Sequence, residues 1–437
     1  MEKVSLICNN LSTNNNGELI FNGANTVELA KNFGTPLYVI DEDKIRENCK
    51  TYYTAVKNAF GENASVLYAS KALSFKKLYT IINEENLGID VVSKGEIFTA
   101  KAVGFPLEKA YFHSNNKTDE DIEFAIDLGV GYFVVDNREE LLAIDEICAN
   151  KKVVKNLLLR LTPGIDPHTY DAISTGKVDS KFGSPIETGQ AFEMVKLALS
   201  LKNINLVGFH CHVGSQVFDS SVYLKSSEVM LNFISEVKLK LGFEVEILDL
   251  GGGFGIKYIE SQPIINVEKV IYEIATFIKE KVATLNIKMP KILFEPGRSI
   301  VANAGLTLYT VGTVKKIEGY KNYVSVDGGM TDNPRYALYK ADYTVVPAYN
   351  MTANRDMVCS IVGRCCESGD IIQENVKMPS NIKRGDIISC LTTGAYNYSM
   401  SSNYNKIEKA PIVMVKNGKA TLAVKRQTLE EMIMQEL

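Results

Sequence analysis

No stretch of this 437-residue sequence approaches the roughly 18 consecutive apolar residues of a membrane-spanning helix, which argues against a helical integral membrane protein. Charge of either sign is not in excess, with a formal net charge of -4 and 23% charged residues, so neither nucleic acid nor an anionic membrane surface is indicated as a partner. The eight cysteines, at positions 8, 49, 148, 211, 359, 365, 366 and 390, never fall in CxxC spacing, which suits reduced thiols better than a disulfide framework. The opening MEKVSLICNN has no basic segment followed by an apolar run, and a cytoplasmic location is expected. There are no low-complexity linkers either. What remains is the composition of a globular protein that handles a small molecule.

The length exceeds what one hydrophobic core ordinarily supports, so two domains are expected. Between about residue 65 and residue 300, short β-branched apolar runs alternate with helix-length amphipathic segments. Eight strand candidates can be counted: Ser65–Ala72, Leu87–Ser93, Ala110–Asn116, Tyr132–Asn137, Asn156–Pro163, Asn205–Gln216, Val245–Gly255 and Lys291–Ser299. Helical stretches follow most of them, as at Asp119–Leu128, with its stripe of Ile122, Ala125, Ile126 and Leu128, and at Arg138–Ala149 behind the cap residue Asn137. Eight such units predict a (β/α)8 barrel over residues 43–304. Beyond it, 305–437 reads as a mostly β second domain, with strands such as Leu306–Val314, Met357–Val362 and Ile412–Lys416. The start of the chain (1–42) also reads as strands, at Val4–Ile7, Glu18–Phe21 and Leu37–Ile40, and is expected to join that domain.

Barrel enzymes do their chemistry at the C-terminal ends of the strands. Nearly every run here ends in polar residues: Ser70-Lys71, Asp90 with Ser93, His113-Ser114-Asn115, Asp136, Arg160, His210-Cys211-His212, Gly251-Gly252-Gly253, and Glu295 with Arg298. One such end is an ordinary loop residue, but eight converging ends are better explained by a site. Lys71 closes an apolar strand, where a desolvated amine would have a lowered pKa and could condense with a carbonyl cofactor. The glycine run Gly251–Gly253 follows the seventh strand, where barrel phosphate sites tend to lie, so it fits a phosphate better than a dinucleotide fingerprint. His210 and His212 share a strand face and have the spacing of metal ligands, but no third ligand stands at suitable spacing, and no metal is expected. Glu295 could keep a pyridine nitrogen protonated and so make the cofactor an electron sink.

With these residues in view, the sequence resembles the fold-type III pyridoxal-phosphate (PLP) decarboxylases and, among them, the bacterial diaminopimelate decarboxylases. The resemblance rests on YASKA at 68–72, HCHVGSQ at 210–216, LGGGFG at 250–255, EPGR at 295–298, CCESGD at 365–370 and GAYNYSMSSNYN at 394–405. It implies a barrel of the alanine-racemase type, pyridoxal 5'-phosphate as cofactor, Lys71 as the Schiff-base lysine, His212 as the ring stacked on the cofactor and Glu295 as the partner of its ring nitrogen. Ser215, Gly253, Gly297 and Arg298 resemble the phosphate and substrate end of the pocket. Tyr396 matches a tyrosine touching both cofactor and substrate. Arg298, Arg335 and Tyr339 match the residues that grip a distal carboxylate. Cys366 and Glu367 resemble a pair supplied by the neighbouring subunit of a homodimer, the first as proton donor and the second as ligand of the substrate amino group. The implied reaction is decarboxylation of meso-2,6-diaminopimelate to L-lysine, a step of lysine biosynthesis.

One position departs from that pattern. Where the family has SGGE, this chain has Ser93-Lys94-Gly95-Glu96, so an added positive charge is expected near the site or on the solvent side of a helix start. On residues alone, Cys365-Cys366 could equally be two buried strand positions facing opposite ways. The rival functions are a sibling decarboxylase for ornithine, arginine or carboxynorspermidine, a racemase, and a non-catalytic PLP-binding regulator. Against them stand the two arginines, the Glu295 carboxylate, and the presence of both Lys71 and Cys366.

Overall fold

The computed structural model describes residues 7–165 and 179–437. Of the expected strand Val4–Ile7, all but Ile7 lies outside them. The chain divides into two compact units, one of Asn48–Gly255 and Ile265–Gly297, the other of the residues up to Glu47, Ile256–Ile264 and Arg298–Leu437.

The first unit is a closed parallel barrel. Its strands are β1 (Ala64–Ala69), β2 (Gly88–Val91), β3 (Ala110–Phe112), β4 (Tyr132–Val135), β5 (Lys155–Thr162), β6 (Ile204–His210), β7 (Ile247–Asp249) and β8 (Lys291–Phe294). Each pairs in parallel with the next, β8 pairs with β1, and a two-residue strand Ser184–Pro185 adds to β5. Leu67, Tyr111, Val134, Leu158, Val207, Ile247 and Leu293 pack together as one apolar cluster drawn from seven of these strands. A barrel strand buried on both sides must be apolar along its whole length, which is why these runs stand out in the sequence. The surrounding helices carry the expected start signals. Thr118 and Asp121 form a reciprocal capping box at Asp119–Asp127, which buries Ile122, Ala125 and Ile126. Asn137 accepts the Glu140 N–H at the head of Arg138–Lys151.

All eight strands stop short of their expected C-terminal ends. The strand expected to reach Gln216, for example, ends, as β6, at His210. The residues beyond are thereby released into loops, where they can turn toward a ligand.

The second unit is built on a mostly antiparallel sheet. Its order runs Ile371–Met378, Met357–Val362, Lys321–Val326, Gly305–Ile317, Leu37–Asp41, Ile412–Lys416, Lys419–Val424, with Val345–Pro347 and Ile387–Leu391 attached through Gly305–Ile317. The long strand Gly305–Ile317 pairs with the N-terminal strand Leu37–Asp41, so sequence-distant segments share one sheet. A three-stranded meander (Leu11–Thr13, Leu19–Phe21, Ala24–Asn25) and the helix Thr26–Phe33 contribute to its core, where Phe21, Leu37, Leu308, Val346 and Val413 are all buried. Among the described residues, no helix is long and apolar enough to cross a membrane.

Candidate active site

At the C-terminal mouth of the barrel, Lys71 sits in a short 3-10 turn, Ser70–Ala72, directly after β1. Its Nζ lies 3.8 Å from Oδ2 of Asp90, just before the end of β2. The sequence suggests a desolvated amine. The structure corrects this: the Lys71 side chain is 44% exposed and faces a buried carboxylate, so it is presented at the mouth rather than enclosed.

The centre of the site is Glu295, one residue beyond β8 and buried. His113, from the end of β3, places Nε2 2.8 Å from its Oε1, and His210, the last residue of β6, places Nε2 3.2 Å from its Oε2. Burial opposes ionisation of Glu295, but the two imidazoles outweigh it and hold the carboxyl well below its usual range. Burial drives His210 down to about 3, so it is a neutral ring hydrogen-bonded to the carboxylate. Asp249, the last residue of β7, behaves in the opposite way. Burial and the neighbouring Glu295 push it well up, toward the protonated form, with one oxygen accepting the Gly251 N–H at 2.9 Å. Burial raises Asp90 as well, against the opposing pull of His113 and Lys71.

The sequence offers no third ligand beside His210 and His212. Folding brings His113 and Glu295 to His210, their ligand atoms all within 4.8 Å of one another, and sends His212 elsewhere. His212 accepts the Gly252 N–H on Nδ1 at 3.2 Å. Burial and the nearby cations Lys71 and Arg160 hold it well below its usual pKa, leaving a neutral flat ring. The glycine turn it touches tolerates no side chain. A Cβ on Gly252 would come 2.0 Å from the Glu295 carbonyl oxygen, and one on Gly253, at φ +98°, 2.1 Å from that of Gly214. Ser215 lies half-buried on the loop that faces this turn, since Val217 donates its N–H to the Gly253 carbonyl at 2.9 Å. Gly297 packs against Ala69 and Ala72, beside the Lys71 turn.

Lys94, the departure from the family pattern, proves remote in effect. Its ammonium is 3.0 Å from Glu120 and 3.9 Å from Asp121, on a 41% exposed side chain at a helix start, so its charge is answered at the surface.

The second unit carries its own cluster. Arg298 and Arg335 are 5% and 3% exposed, and tyrosines surround both. Arg335 donates through Nε to the Tyr339 hydroxyl at 2.7 Å and through Nη1 to that of Tyr343 at 2.5 Å, while its guanidinium lies 4.9 Å from the Tyr258 ring centroid. Arg298 donates through Nη1 to the Tyr258 hydroxyl at 2.9 Å and lies 4.7 Å from the Tyr396 ring centroid. A surface ion pair from Arg335 to Asp332 or Asp342 is ruled out, since Asp332 instead accepts from Tyr309 and Asp342 from Gln373. Sequence reasoning overlooked Tyr258 and Tyr343. The first stands in the segment after the glycine turn, and nothing in its own neighbours marks it. Cys365 and Cys366 lie in a bend after Met357–Val362, not in a strand, with Cys366 exposed. Glu367, also exposed, folds its Oε1 back onto the Gly369 N–H at 3.1 Å.

A lysine at a barrel-strand end, a glycine turn closed to side chains and an ionised carboxylate gripped by two imidazoles together define a pyridoxal-phosphate-dependent barrel enzyme, and these residues fit that cofactor. Comparison with known proteins agrees. Residues 42–302 match the family model described as "Pyridoxal-dependent decarboxylase, pyridoxal binding domain". The diaminopimelate decarboxylase of Bacillus methanolicus is 44% identical, with 95% of each chain covered, and that of Bacillus subtilis 42% identical over 96% of this chain and 95% of its own. The crystal structure of diaminopimelate decarboxylase from M. jannaschii in co-complex with L-lysine superimposes with a TM-score of 0.90 at 32% identity, covering 98% of each chain. The chain belongs to the pyridoxal-dependent decarboxylases and, within them, to the diaminopimelate decarboxylases. Its cofactor is pyridoxal 5'-phosphate.

Proposed function

We infer that the chain catalyses decarboxylation of meso-2,6-diaminopimelate to L-lysine and carbon dioxide. The observation that carries the substrate is the buried Arg335 guanidinium, whose hydrogen bonds run to the neutral hydroxyls of Tyr339 and Tyr343, with Arg298 in the same tyrosine cluster. Buried guanidinium charge facing neutral partners is costly, and a substrate carboxylate makes good the deficit. Ornithine, arginine and other substrates with a basic tail would bring a like charge instead.

Pyridoxal phosphate, when bound, supplies the electron sink for the bond that breaks. The chain's residues do the rest. Lys71 would hold the cofactor. Glu295, kept ionised by His113 and His210, would hold a proton on the ring nitrogen, and His212 would offer a flat neutral face. Ser215, Gly253, Gly297 and Arg298 would hold the phosphate and substrate end. Arg298, Arg335 and Tyr339 bind the distal carboxylate, Glu367 the amino group, and Tyr396 contacts cofactor and substrate. Cys366 Sγ gives the proton that replaces carbon dioxide. Cys366 and Glu367 serve the active site of a partner subunit in a cytoplasmic homodimer.

Carbon dioxide release measured in parallel on meso-diaminopimelate, ornithine and arginine tests the substrate. Release from ornithine or arginine in preference would overturn it and leave the decarboxylase class standing. Borohydride reduction followed by peptide mapping should place the cofactor on Lys71, and a label on any other lysine would refute that assignment.

A further inference from the structure

The bend that carries Cys366 is anchored on both sides of that residue, through backbone and not through the thiol. Asn405 Oδ1 accepts the Cys366 N–H at 2.8 Å. Asp370, 3% exposed, accepts the Cys365 N–H on Oδ2 at 2.8 Å and the Met330 N–H on Oδ1 at 2.6 Å. The Asp370 carboxylate lies against two glycines: a Cβ on Gly363 would come 2.2 Å from it and one on Gly329 2.5 Å. The neighbouring Arg364 N–H reaches the Gly328 carbonyl at 3.0 Å. The segments 328–330, 363–370 and 405 are thus tied together, while the Cys366 side chain stays exposed. The backbone of Asn405 is itself left-handed (φ 52°, ψ 24°), a conformation asparagine adopts more readily than most residues.

We propose that Asn405 is a positioning residue for the Cys366 thiol, fixing the Cα–Cβ direction from which the proton is delivered, with Asp370 setting the bend on which it acts. The proposal rests on the reading of Cys366 as proton donor. In that step the S–H bond breaks, a C–H bond forms on the carbon vacated by carbon dioxide, and the thiolate regains its proton from water. A donor held from one side delivers to one face of that carbon. A donor on an unanchored bend does so more slowly and with less facial selectivity.

The test runs the holoenzyme in deuterium oxide and locates deuterium at the ε-carbon of the L-lysine formed, alongside kcat and KM. Wild type should label one face. Asn405→Gly tolerates the left-handed backbone and removes the acceptor. It should lower kcat by roughly 10-fold to 10²-fold with little change in KM and should scramble the label. Asn405→Asp, which keeps an acceptor and tolerates the same φ, should recover most of both. In the cofactor-free protein, the 365–366 amides should exchange with solvent faster in Asn405→Gly than in wild type. Cys366→Ser separates the two claims. If Cys366→Ser disturbs the labelling and Asn405→Gly behaves as wild type, the positioning role is overturned and the thiol keeps its assignment. Should neither variant change labelling or rate, the reading of Cys366 falls and the proposal with it. An Asn405→Asp variant as impaired as Asn405→Gly would also overturn it.

Discussion

His113 Nε2 lies 2.8 Å from Glu295 Oε1, and His210 Nε2 lies 3.2 Å from Oε2, so this buried carboxylate, proposed to face the cofactor, is set between imidazoles from the ends of β3 and β6. A fully buried carboxylate stays ionised only while such partners remain. Glu295→Gln removes the charge and should lower kcat by about 10²-fold or more, since nothing else then favours a proton on the ring nitrogen. His113→Leu keeps the charge but removes one partner, so the Glu295 pKa rises. The group now loses its charge at a higher pH, and the acid limb of the kcat profile should move upward. An unmoved acid limb in His113→Leu would show that His113 does not hold the carboxylate.

The barrel was legible because parallel strands buried on both sides cannot hide among polar residues. Strand ends were not, since Val213 and Val217 continue the apolar texture after the ladder of β6 has stopped, and both are buried, Val217 in an isolated bridge to Phe254. Single site residues were legible where a strand end marked them, as with Lys71, Glu295 and His210. Their pairing was not, because His113 meets Glu295 only once the barrel closes. Tyr339 could have been matched to Arg335 from helical i, i+4 spacing within Arg335–Tyr339. Tyr258, Tyr343 and Asn405 carry no such local signal, and their roles arise from segments that meet only in the fold.

If two subunits share their active sites, as proposed, two inactive variants should complement each other. Lys71→Ala and Cys366→Ala should each be inactive or nearly so. Mixed and reassembled, they should regain part of wild-type turnover, because a hybrid dimer would hold one intact pair of Lys71 and Cys366. Mixtures that exchange subunits, as shown by mass-tagged chains, yet stay inactive would mean that each chain completes its own site.

Asp332 predicts a pH dependence of stability. It is buried, accepts hydrogen bonds from Tyr309 and the Gly329 N–H, and burial raises its pKa to about 7. The unfolded value is near ~4, so the native state holds this proton more tightly. The stabilisation is therefore fully present below about pH 4 and is lost as pH rises through the folded value, with a slope of at most about 1.4 kcal/mol per pH unit. Asp332→Asn removes the titration. Its urea midpoint should fall less than that of wild type between pH 5.5 and pH 8, where ~4 to about 7 is the window set by this group. Equal falls in the two proteins would rule Asp332 out as a source of the dependence.

Arg335 carries the sharpest prediction about substrate. Its guanidinium is buried, stands among the rings of Tyr258, Tyr339 and Tyr343, and donates to two of their hydroxyls. Tyrosine can orient a guanidinium but does not neutralise it, so the positive charge is left for an anionic ligand. Sites built around a specific polar group reject analogues that lack it by roughly 10⁴–10⁵ in kcat/KM, and wild type should discriminate on that scale between meso-diaminopimelate and ornithine. Arg335→Ala removes one partner of a buried charged contact, worth about 3–5 kcal/mol, which corresponds to a loss of roughly 10²–10⁴ in kcat/KM for meso-diaminopimelate. Cofactor affinity, read from the visible absorbance on titration with pyridoxal phosphate, should change little, because the residues assigned to the ring belong to the barrel. Arg335→Lys should recover only part of the loss, since an ammonium cannot reproduce the planar two-donor geometry. If Arg335→Ala weakened cofactor binding as much as turnover, the residue would be structural, and the argument for an anionic substrate tail would fall with it.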